Sequence, residues 1–402
     1  MTTPVGRATR RPLGVRRLAA LAWRVAVCTA IAASAVVLMI KVLPNQFMFD
    51  FNGDLYGAGH AILGGHDPYH PGYLAGLAAI KRAGGATPSG FALPVYPAPM
   101  LLAAVPFSLL PDTLACLLFA VLMVAAMVCG LRLLGVRDWR CIALALASWP
   151  FLYGLAIGNL GPALVLGIGV AWRFRARLWT PAIAIAAVVV AKVFPWTLLI
   201  WLLVTRRFRT LGLVLLIGTV GVLAAWAVIG FAGMSEYPRM LSNLSFVERG
   251  AGVSLIATLF GAGVPGAVAE MVALGAAALL LFAAYRFAQR PNGDAPALGL
   301  TVIAALTASP IVWPHYLVLL FVPIALTSPT LSPMWFTPLL TALLPTPNPH
   351  SLPEMLFWIA IEATVVVHVC LSPRARKVTV GGGGLRLRRL RTVYERALPA
   401  TP

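Results

Sequence analysis

Long apolar runs, separated by short polar or basic segments, alternate along most of the chain. Runs near 20 residues are long enough to cross the hydrocarbon core of a bilayer as helices. Helices are favoured there because the backbone must satisfy its own hydrogen bonds. The pattern therefore predicts an all-α polytopic membrane protein with about 12 transmembrane helices. The candidate spans are 22–43, 112–134, 141–157, 159–172, 178–191, 194–205, 210–232, 264–287, 297–310, 313–331, 333–345 and 352–371.

Several of these runs are shorter than the roughly 20 residues of a full crossing. We expect such helices to be tilted or packed around a cavity. The stretch 94–111 is not counted as a span, because a full crossing there would place the Arg132–Arg140 cluster on the outer side. Prolines also interrupt it, among them Pro97, Pro99, Pro106 and Pro111. We predict a half-inserted helix there, on the outer face.

Composition supports a membrane protein: 60% of the residues are hydrophobic and only 11% are charged, against roughly 25% charged residues in soluble domains. The net charge of +19 does not predict nucleic-acid binding, because the excess lies in short loops and tails that orient helices and meet anionic lipid heads. Five cysteines without CxxC spacing predict buried thiols instead of a disulfide framework or zinc site.

The basic clusters predict which loops face the cytoplasm. They comprise Arg132–Arg140, Arg173–Arg177, Arg206–Arg209 and Arg286–Arg290, together with both chain ends. We therefore divide the chain into a basic cytoplasmic N-terminus (1–21), a transmembrane catalytic domain (22–372) and a basic cytoplasmic tail (373–402). The first span is interpreted as an uncleaved signal anchor, since its end lacks a small-residue cleavage site; a cleaved signal peptide is the alternative.

The loop after the first span is the most polar outer segment, in a chain with only 12 Asp and Glu residues. It carries Asp50 and Asp54, and a carboxylate just outside a spanning helix is well placed to act on a lipid-borne substrate. Alternatively, Asp54 caps a short helix that begins at Leu55. The nearby His60, His66 and His70 do not match the spacing of a standard metal site.

Two polar residues lie within or beside apolar runs, where such residues are costly and often functional. Lys192 is a candidate phosphate ligand, with a lysine that extends to the interface as the alternative. His315 lies between prolines and aromatic residues, which indicates a shaped outer loop; an interfacial aromatic belt is the alternative.

Five short motifs follow one another over about residues 40–330, in the same order as in a known protein family. They are Asp54–Tyr56 with Leu63, Gly65, Pro68 and Tyr69; Tyr96, Pro97 and Pro99; Gly158 and Asn159; Lys192 and Pro195 followed by Arg206 and Arg207; and Ser309, Pro310, Trp313, His315 and Tyr316. Together they resemble glycosyltransferase family 87 (GT87). Tyr56 follows Asp54 by two residues instead of three, and Gly252, Val253 and Ser254 stand where the family has Asn-Gln-Ser.

The resemblance implies a GT-C-type fold, with short interfacial helices in the first outer loop. It also implies an enzyme of the actinobacterial plasma membrane that moves a sugar, most often mannose, from a polyprenyl-phosphate donor to a glycolipid or cell-envelope glycan on the outer face. Such an α-mannosyltransferase-like reaction would invert the anomeric carbon. No cofactor is expected, although a divalent metal is not excluded. A lipid or polysaccharide transporter or flippase is the alternative class.

On this interpretation Asp54 is the general base, with Asp50 as its rival or as a substrate ligand. Lys192, Arg239 and Arg249 would stabilise the departing phosphate, and His315 would hold the phosphate or a sugar hydroxyl. The remaining candidates would bind the sugars: Tyr56, Tyr69, Tyr96, Asn159 and Trp313.

Overall fold

The computed structural model describes residues 47–69, 95–248, 252–343 and 351–372, with isolated residues between 22 and 29 and at 76 and 79. All regular elements in this part of the chain are helical. Most of the first predicted span, both predicted tails and Arg249 lie outside the described residues. The α-helices are α1 (Gly57–Leu63), α2 (Ala98–Ser108), α3 (Asp112–Leu133), α4 (Trp139–Ala147), α5 (Trp149–Ile157), α6 (Gly161–Arg173), α7 (Trp179–Ala191), α8 (Thr197–Val204), α9 (Phe208–Val228), α10 (Tyr237–Val247), α11 (Leu255–Gly261), α12 (Gly266–Ala288), α13 (Asp294–Ala308), α14 (Phe321–Thr327) and α15 (Leu352–Leu371).

Other helix types fill several of the connections. A π-helix, Phe51–Tyr56, runs directly into α1. Short 3₁₀ helices occur at Phe194–Trp196, Pro314–Leu320 and Pro333–Leu343. The third of these occupies the predicted span 333–345, and Pro338 inside it removes a backbone donor that a regular α-helix would use.

Four helices in the described ranges are long and apolar enough to cross a membrane: α3, α9, α12 and α15. A fifth crossing is formed if α4 and α5, which meet at a 56° bend, act as one span. The other predicted spans that lie within the described residues form shorter helices, such as the 13-residue α6, which extends only about 20 Å. The described structure thus establishes a helical membrane protein with four or five clear spans.

The bend between α4 and α5 has a local cause. Ser148 is extended and ends α4, and its hydroxyl donates to the Ala145 carbonyl at 2.7 Å. The same oxygen accepts a hydrogen bond from the Phe151 N–H and so caps α5. Pro150 follows at the first turn of α5, where its missing N–H costs nothing.

Large apolar side chains are exposed on α9 and α12. Val228 on α9 is 70% exposed and Leu279 on α12 is 71% exposed, among many other large apolar side chains on the same two helices. Soluble monomers rarely expose apolar patches of this extent. These two helices therefore present a surface suited to the bilayer.

Two of the basic segments meet at Asp294, the first residue of α13. Its carboxylate accepts two hydrogen bonds from Arg207, at 3.0 and 2.7 Å, and one from Arg175 at 3.0 Å. Trp201 Nε1 adds a fourth at 2.8 Å. Because Arg175 follows α6 and Arg207 follows α8, the arrangement agrees with the assignment of these clusters to one side of the membrane.

Helix α2 lies within the stretch 94–111, which was predicted to form a half-inserted helix. It has only 11 residues and contains Pro106, so its length of about 16 Å is too short for a crossing. Tyr96, just before α2, lies beside Lys192 at the end of α7. The helix therefore starts at the end of the bundle opposite Asp294, where the candidate polar residues collect.

Candidate active site

The two candidate aspartates lie at the start of the π-helix and within it. Asp50 immediately precedes it and Asp54 lies within it, and residues four apart share one face of a helix. Phe51 anchors this helix: it is fully buried, with its ring centroid 4.5 Å from that of Phe119. The π-helix is therefore a packed part of the described structure.

The turn between α5 and α6 supports the π-helix from the other side. Met48 N–H donates to the Ala156 carbonyl at 2.6 Å. Gly158 ends α5 with a φ of +80°, a left-handed conformation that glycine adopts without steric cost. A side chain at Gly158 would also overlap Phe51, so glycine is needed here for conformation and for close approach.

Asn159 joins this turn to Asp50. Its Nδ2 donates to Asp50 Oδ2 at 2.9 Å, and its Oδ1 accepts from the Gly161 N–H at 3.0 Å. Asn159 is only 1% exposed, whereas Asp50 is half-buried. The structure therefore places Asn159, predicted as a substrate ligand, in direct contact with a candidate catalytic carboxylate.

Asp54 is 7% exposed, and its carboxylate accepts no hydrogen bond from a described residue. The capping alternative is wrong: Asp54 lies inside the π-helix, and the residue that precedes α1 is Tyr56. A buried carboxylate without donors is costly when it is ionised. Asp54 therefore has no apparent structural task in the described part of the chain.

The electrostatics of the two carboxylates are coupled. Burial, followed by the negative charge of Asp50, raises the pKa of Asp54 well above its ordinary value, and Lys192 opposes the shift. Burial also raises the pKa of Asp50, while the hydrogen bond from Asn159 and the charge of Lys192 oppose that shift. Two such groups titrate as a pair, and the pair retains a proton at a higher pH than exposed carboxyls do.

Lys192 supplies the positive charge near this pair. It follows α7 in an extended conformation and is only 9% exposed, which does not agree with a lysine that reaches into water. Its Nζ lies 4.0 Å from the centroid of the Tyr316 ring and 5.5 Å from that of Tyr96. No carboxylate oxygen of the described residues lies within 4.0 Å of this ammonium group.

His315 and Lys192 both pack against the ring of Tyr316. Its ring packs edge-on against Tyr316, with centroids 4.7 Å apart, and tilts against Tyr153 at 5.5 Å. The side chain is 4% exposed, and neither ring nitrogen has a hydrogen-bond partner among the described residues. Two unpartnered ring nitrogens are suited to a bound hydroxyl or phosphate oxygen.

The other predicted ligands lie in different surroundings. Tyr96 is buried beside Lys192, but the Tyr56 hydroxyl donates to the Leu110 carbonyl at 2.8 Å and the Tyr69 hydroxyl to the Tyr96 carbonyl at 2.7 Å. These two hydroxyls hold the described residues 47–69 to the segments that flank α2. Arg239 is exposed on α10, and its described contacts do not bring it to the aspartates.

The loop that carries Trp313 and His315 is held by the segment that departs from the family motif. Val253 N–H donates to the Val312 carbonyl at 2.6 Å. Ser254 Oγ donates to the Pro310 carbonyl at 3.2 Å and accepts from Ala257 N–H at 2.9 Å, which caps α11. Trp313 itself is half-buried beside Gly252.

Sequence reasoning missed the aromatic support of His315. Tyr153 stacks on Trp149 with centroids 5.4 Å apart, and its other neighbour is the His315 ring. A signal was present in the sequence, because the two residues are four apart in an apolar helix directly before Gly158 and Asn159. Their contact with His315 depends on tertiary packing over about 160 residues of chain and could not be read from that spacing.

The helices and the buried polar group define a polytopic membrane protein with a candidate site for an anionic, hydroxyl-bearing substrate. The family model of glycosyltransferase family 87 matches residues 95–314, more than half of the chain, and the chain belongs to this family. Membership implies a membrane glycosyltransferase. The matched range contains Tyr96, Asn159 and Lys192, whereas the two aspartates precede it and His315 follows it. No curated protein and no solved structure matches the chain.

Proposed function

We propose that this glycosyltransferase moves a sugar, which by resemblance to its family is mannose, from a polyprenyl-phosphate donor to a glycolipid or cell-envelope glycan. The reaction takes place on the outer face of the plasma membrane and inverts the anomeric carbon. The observation that carries the proposal is the ammonium group of Lys192. It is buried where its charge acts on Asp50 and Asp54, yet no carboxylate of the described residues forms an ion pair with it.

A buried cation without an anion is unfavourable, and a departing phosphate would supply the missing charge. Nucleotide sugars are not present outside the cell, so a donor used there must arrive on a lipid carrier. A polyprenyl phosphate brings its anionic group to the membrane surface, where Lys192 ends α7. His315, with two unpartnered ring nitrogens, is placed to bind another oxygen of the same phosphate or a sugar hydroxyl.

In the proposed reaction, the ionised carboxylate of Asp54 accepts the proton of the acceptor hydroxyl. The acceptor oxygen forms a bond to C1 of the donor sugar while the bond from C1 to the phosphate oxygen breaks on the opposite face. The electron pair leaves with the phosphate, and the products are the extended glycan and polyprenyl phosphate. The transition state has oxocarbenium character, and Asp50 is the alternative base.

The same proposal includes a GT-C-type arrangement of twelve spans with the Asp294 end in the cytoplasm. It rests on the distribution of basic residues, which surround Asp294 and are sparse near Asp50, Asp54 and Lys192. Anionic lipid heads and the positive-inside rule favour this orientation. The proposal assigns no step to a metal, because Lys192 supplies a positive charge for the departing phosphate.

The test uses purified protein in lipid vesicles with polyprenyl-phosphate [¹⁴C]mannose and an extract of membrane glycolipids. We expect the label to move into a glycolipid product, and no product from a nucleotide mannose supplied alone. Asp54→Asn is the matched control, because it preserves side-chain shape. Label that crosses the bilayer on an unchanged donor would instead establish the transporter alternative, and failure of both transfer and translocation would refute the proposed donor.

A further inference from the structure

Among the described residues, only the side chain of Asn159 donates a hydrogen bond to one of the two carboxylates, that of Asp50. We propose that Asn159 is a positioning residue, which orients Asp50 and holds its carboxylate ionised, and that it does not bind the sugar. The consequence of this inference for catalysis rests on the proposed function, because the proposed reaction needs an ionised carboxylate at this site. The geometry itself is independent of the substrate.

The direction of the Asn159 amide is fixed by its neighbours. Gly161 N–H can only donate, so the atom 3.0 Å from it must be the amide oxygen. The amide nitrogen, which can only donate, then faces Asp50 Oδ2 at 2.9 Å. An amide that donates at one end and accepts at the other is committed to protein partners, and its 1% exposure leaves little surface for a sugar.

The backbone around Asn159 is held just as firmly. Its N–H donates to the Gly154 carbonyl at 2.7 Å, and the left-handed Gly158 before it lies against Phe51. The bond from Met48 N–H to the Ala156 carbonyl fixes the chain just before Asp50 to the same turn. The two ends of the Asp50–Asn159 hydrogen bond are therefore mounted on one rigid unit, as a positioning role requires.

The hydrogen bond makes the carboxylate pair asymmetric. Four titratable groups interact electrostatically with Asp50. They are Asp54 in the π-helix, Lys192 after α7, Tyr96 before α2 and Tyr153 on α5. Of the two carboxylates, only Asp50 accepts a hydrogen bond from a described side chain. A hydrogen bond to the charged form favours ionisation, so Asp50 ionises at a lower pH than Asp54, and Asp54 becomes the ionised base only once the pH exceeds its own raised pKa.

The inference is tested by titrating Asp50 directly. Infrared difference spectra of the purified protein follow the carboxyl band with pH in an Asp54→Asn background, where Asp50 no longer has its carboxylate neighbour; the band is assigned by its loss in Asp50→Asn. Adding Asn159→Ala should raise the midpoint by about one pH unit, because a charge-assisted hydrogen bond is lost. Asn159→Gln retains the amide and should restore part of the shift.

Asn52→Ala is the matched control. Asn52 is another amide on the same helix, but its oxygen faces Cys116 Sγ at 3.4 Å, so its loss should leave the Asp50 midpoint unchanged. Transfer kinetics provide the second measurement, made with Asp54 intact: a positioning residue lowers kcat with little change in KM, whereas a sugar ligand raises KM. If Asn159→Ala does not fold, Asn159→Ser is measured in its place.

An unchanged Asp50 midpoint in the folded Asn159 variant would overturn the inference, as would an increased KM without a shift of the midpoint. The titration needs no substrate, so its result is separate from the outcome of the transfer assay. A shifted midpoint in a protein without transfer would support the positioning role and reject the proposed function. Transfer with an unshifted midpoint would do the reverse.

Discussion

Replacing Lys192 by methionine removes the positive charge from the candidate site while it retains most of the length and apolar volume of the side chain. The present ammonium group lies against the Tyr316 ring at 4.0 Å, and methionine can make a similar contact with an aromatic ring. The variant should therefore insert and fold. Only the interaction with an anionic ligand is expected to be lost.

The magnitude follows from the burial of Lys192. At a separation of 4 Å and an effective dielectric constant of about 20, two unit charges interact by about 4 kcal/mol. Part of this energy is already present in the ground state, because the donor carries its phosphate before the reaction starts. The loss in kcat should therefore reach about 10²-fold, whereas kcat/KM, which is measured from free enzyme and free donor, should fall by up to the roughly 10³-fold of the full interaction.

The assay measures initial rates of mannose transfer from the polyprenyl-phosphate donor, over a range of donor concentrations. Lys192→Arg, which keeps the charge, should retain more activity than Lys192→Met. Arg286→Met is the control for loss of a cation elsewhere, because Arg286 is exposed on α12. Unchanged donor kinetics in correctly inserted Lys192→Met would refute the phosphate assignment, and Lys192 would then be a structural residue.

Four further results are expected. Asp54→Asn should reduce turnover by about 10²-fold or more in the transfer assay, with a milder loss for Asp50→Asn; retention of activity by both variants would exclude the mechanism. The acidic limb of the wild-type pH–rate profile should lie above the ordinary carboxyl range, because burial raises the pKa of Asp54, and Asp50→Asn should move the limb to lower pH by removing a negative neighbour; an unmoved limb would contradict the coupling. Asp294→Asn weakens the bonds to two arginines and should lower the unfolding free energy by about 1–2 kcal/mol, seen as a lower Tm, whereas an unchanged Tm would count against Asp294 as a clamp. A cysteine at Arg239 should be labelled from outside intact cells and one at Phe208 only after permeabilisation, and the opposite labelling would reverse the proposed topology.

Much of the helical framework follows from composition and run length. The predicted spans at 112–134, 178–191 and 352–371 agree with α3, α7 and α15 to within about one residue, because an apolar run has few other ways to satisfy its backbone in a membrane. The 3₁₀ helix at Pro333–Leu343 was not predicted. Hydropathy measures how apolar a segment is, and it does not register how prolines redirect the hydrogen bonds of the backbone.

The site was harder to predict from the sequence, since its decisive contacts are between distant segments. Asp50 and Asp54 could be selected as rare acids in an outer loop, but the choice of a helix cap or a buried carboxylate for Asp54 depended on where the helix begins. Asn159 could be selected as a polar residue at a turn, yet its partner Asp50 is 109 positions away. Spacing along the chain carries no information about such a contact when the segments belong to different helices.

Two clusters of charged side chains, one around Asp294 and one around Lys192, differ in a way that bears on function. At the cytoplasmic end of the proposed topology, Asp294 is directly paired with Arg175 and Arg207, and these side chains satisfy one another. At the opposite end, Asp50 and Asp54 lie in the electrostatic field of Lys192 without an ion pair. Direct pairing would be the more stable arrangement for buried charges with only a structural task. The separation at the second end leaves the cation and the carboxylates available to different parts of one substrate, as transfer between a phosphate leaving group and a hydroxyl acceptor requires.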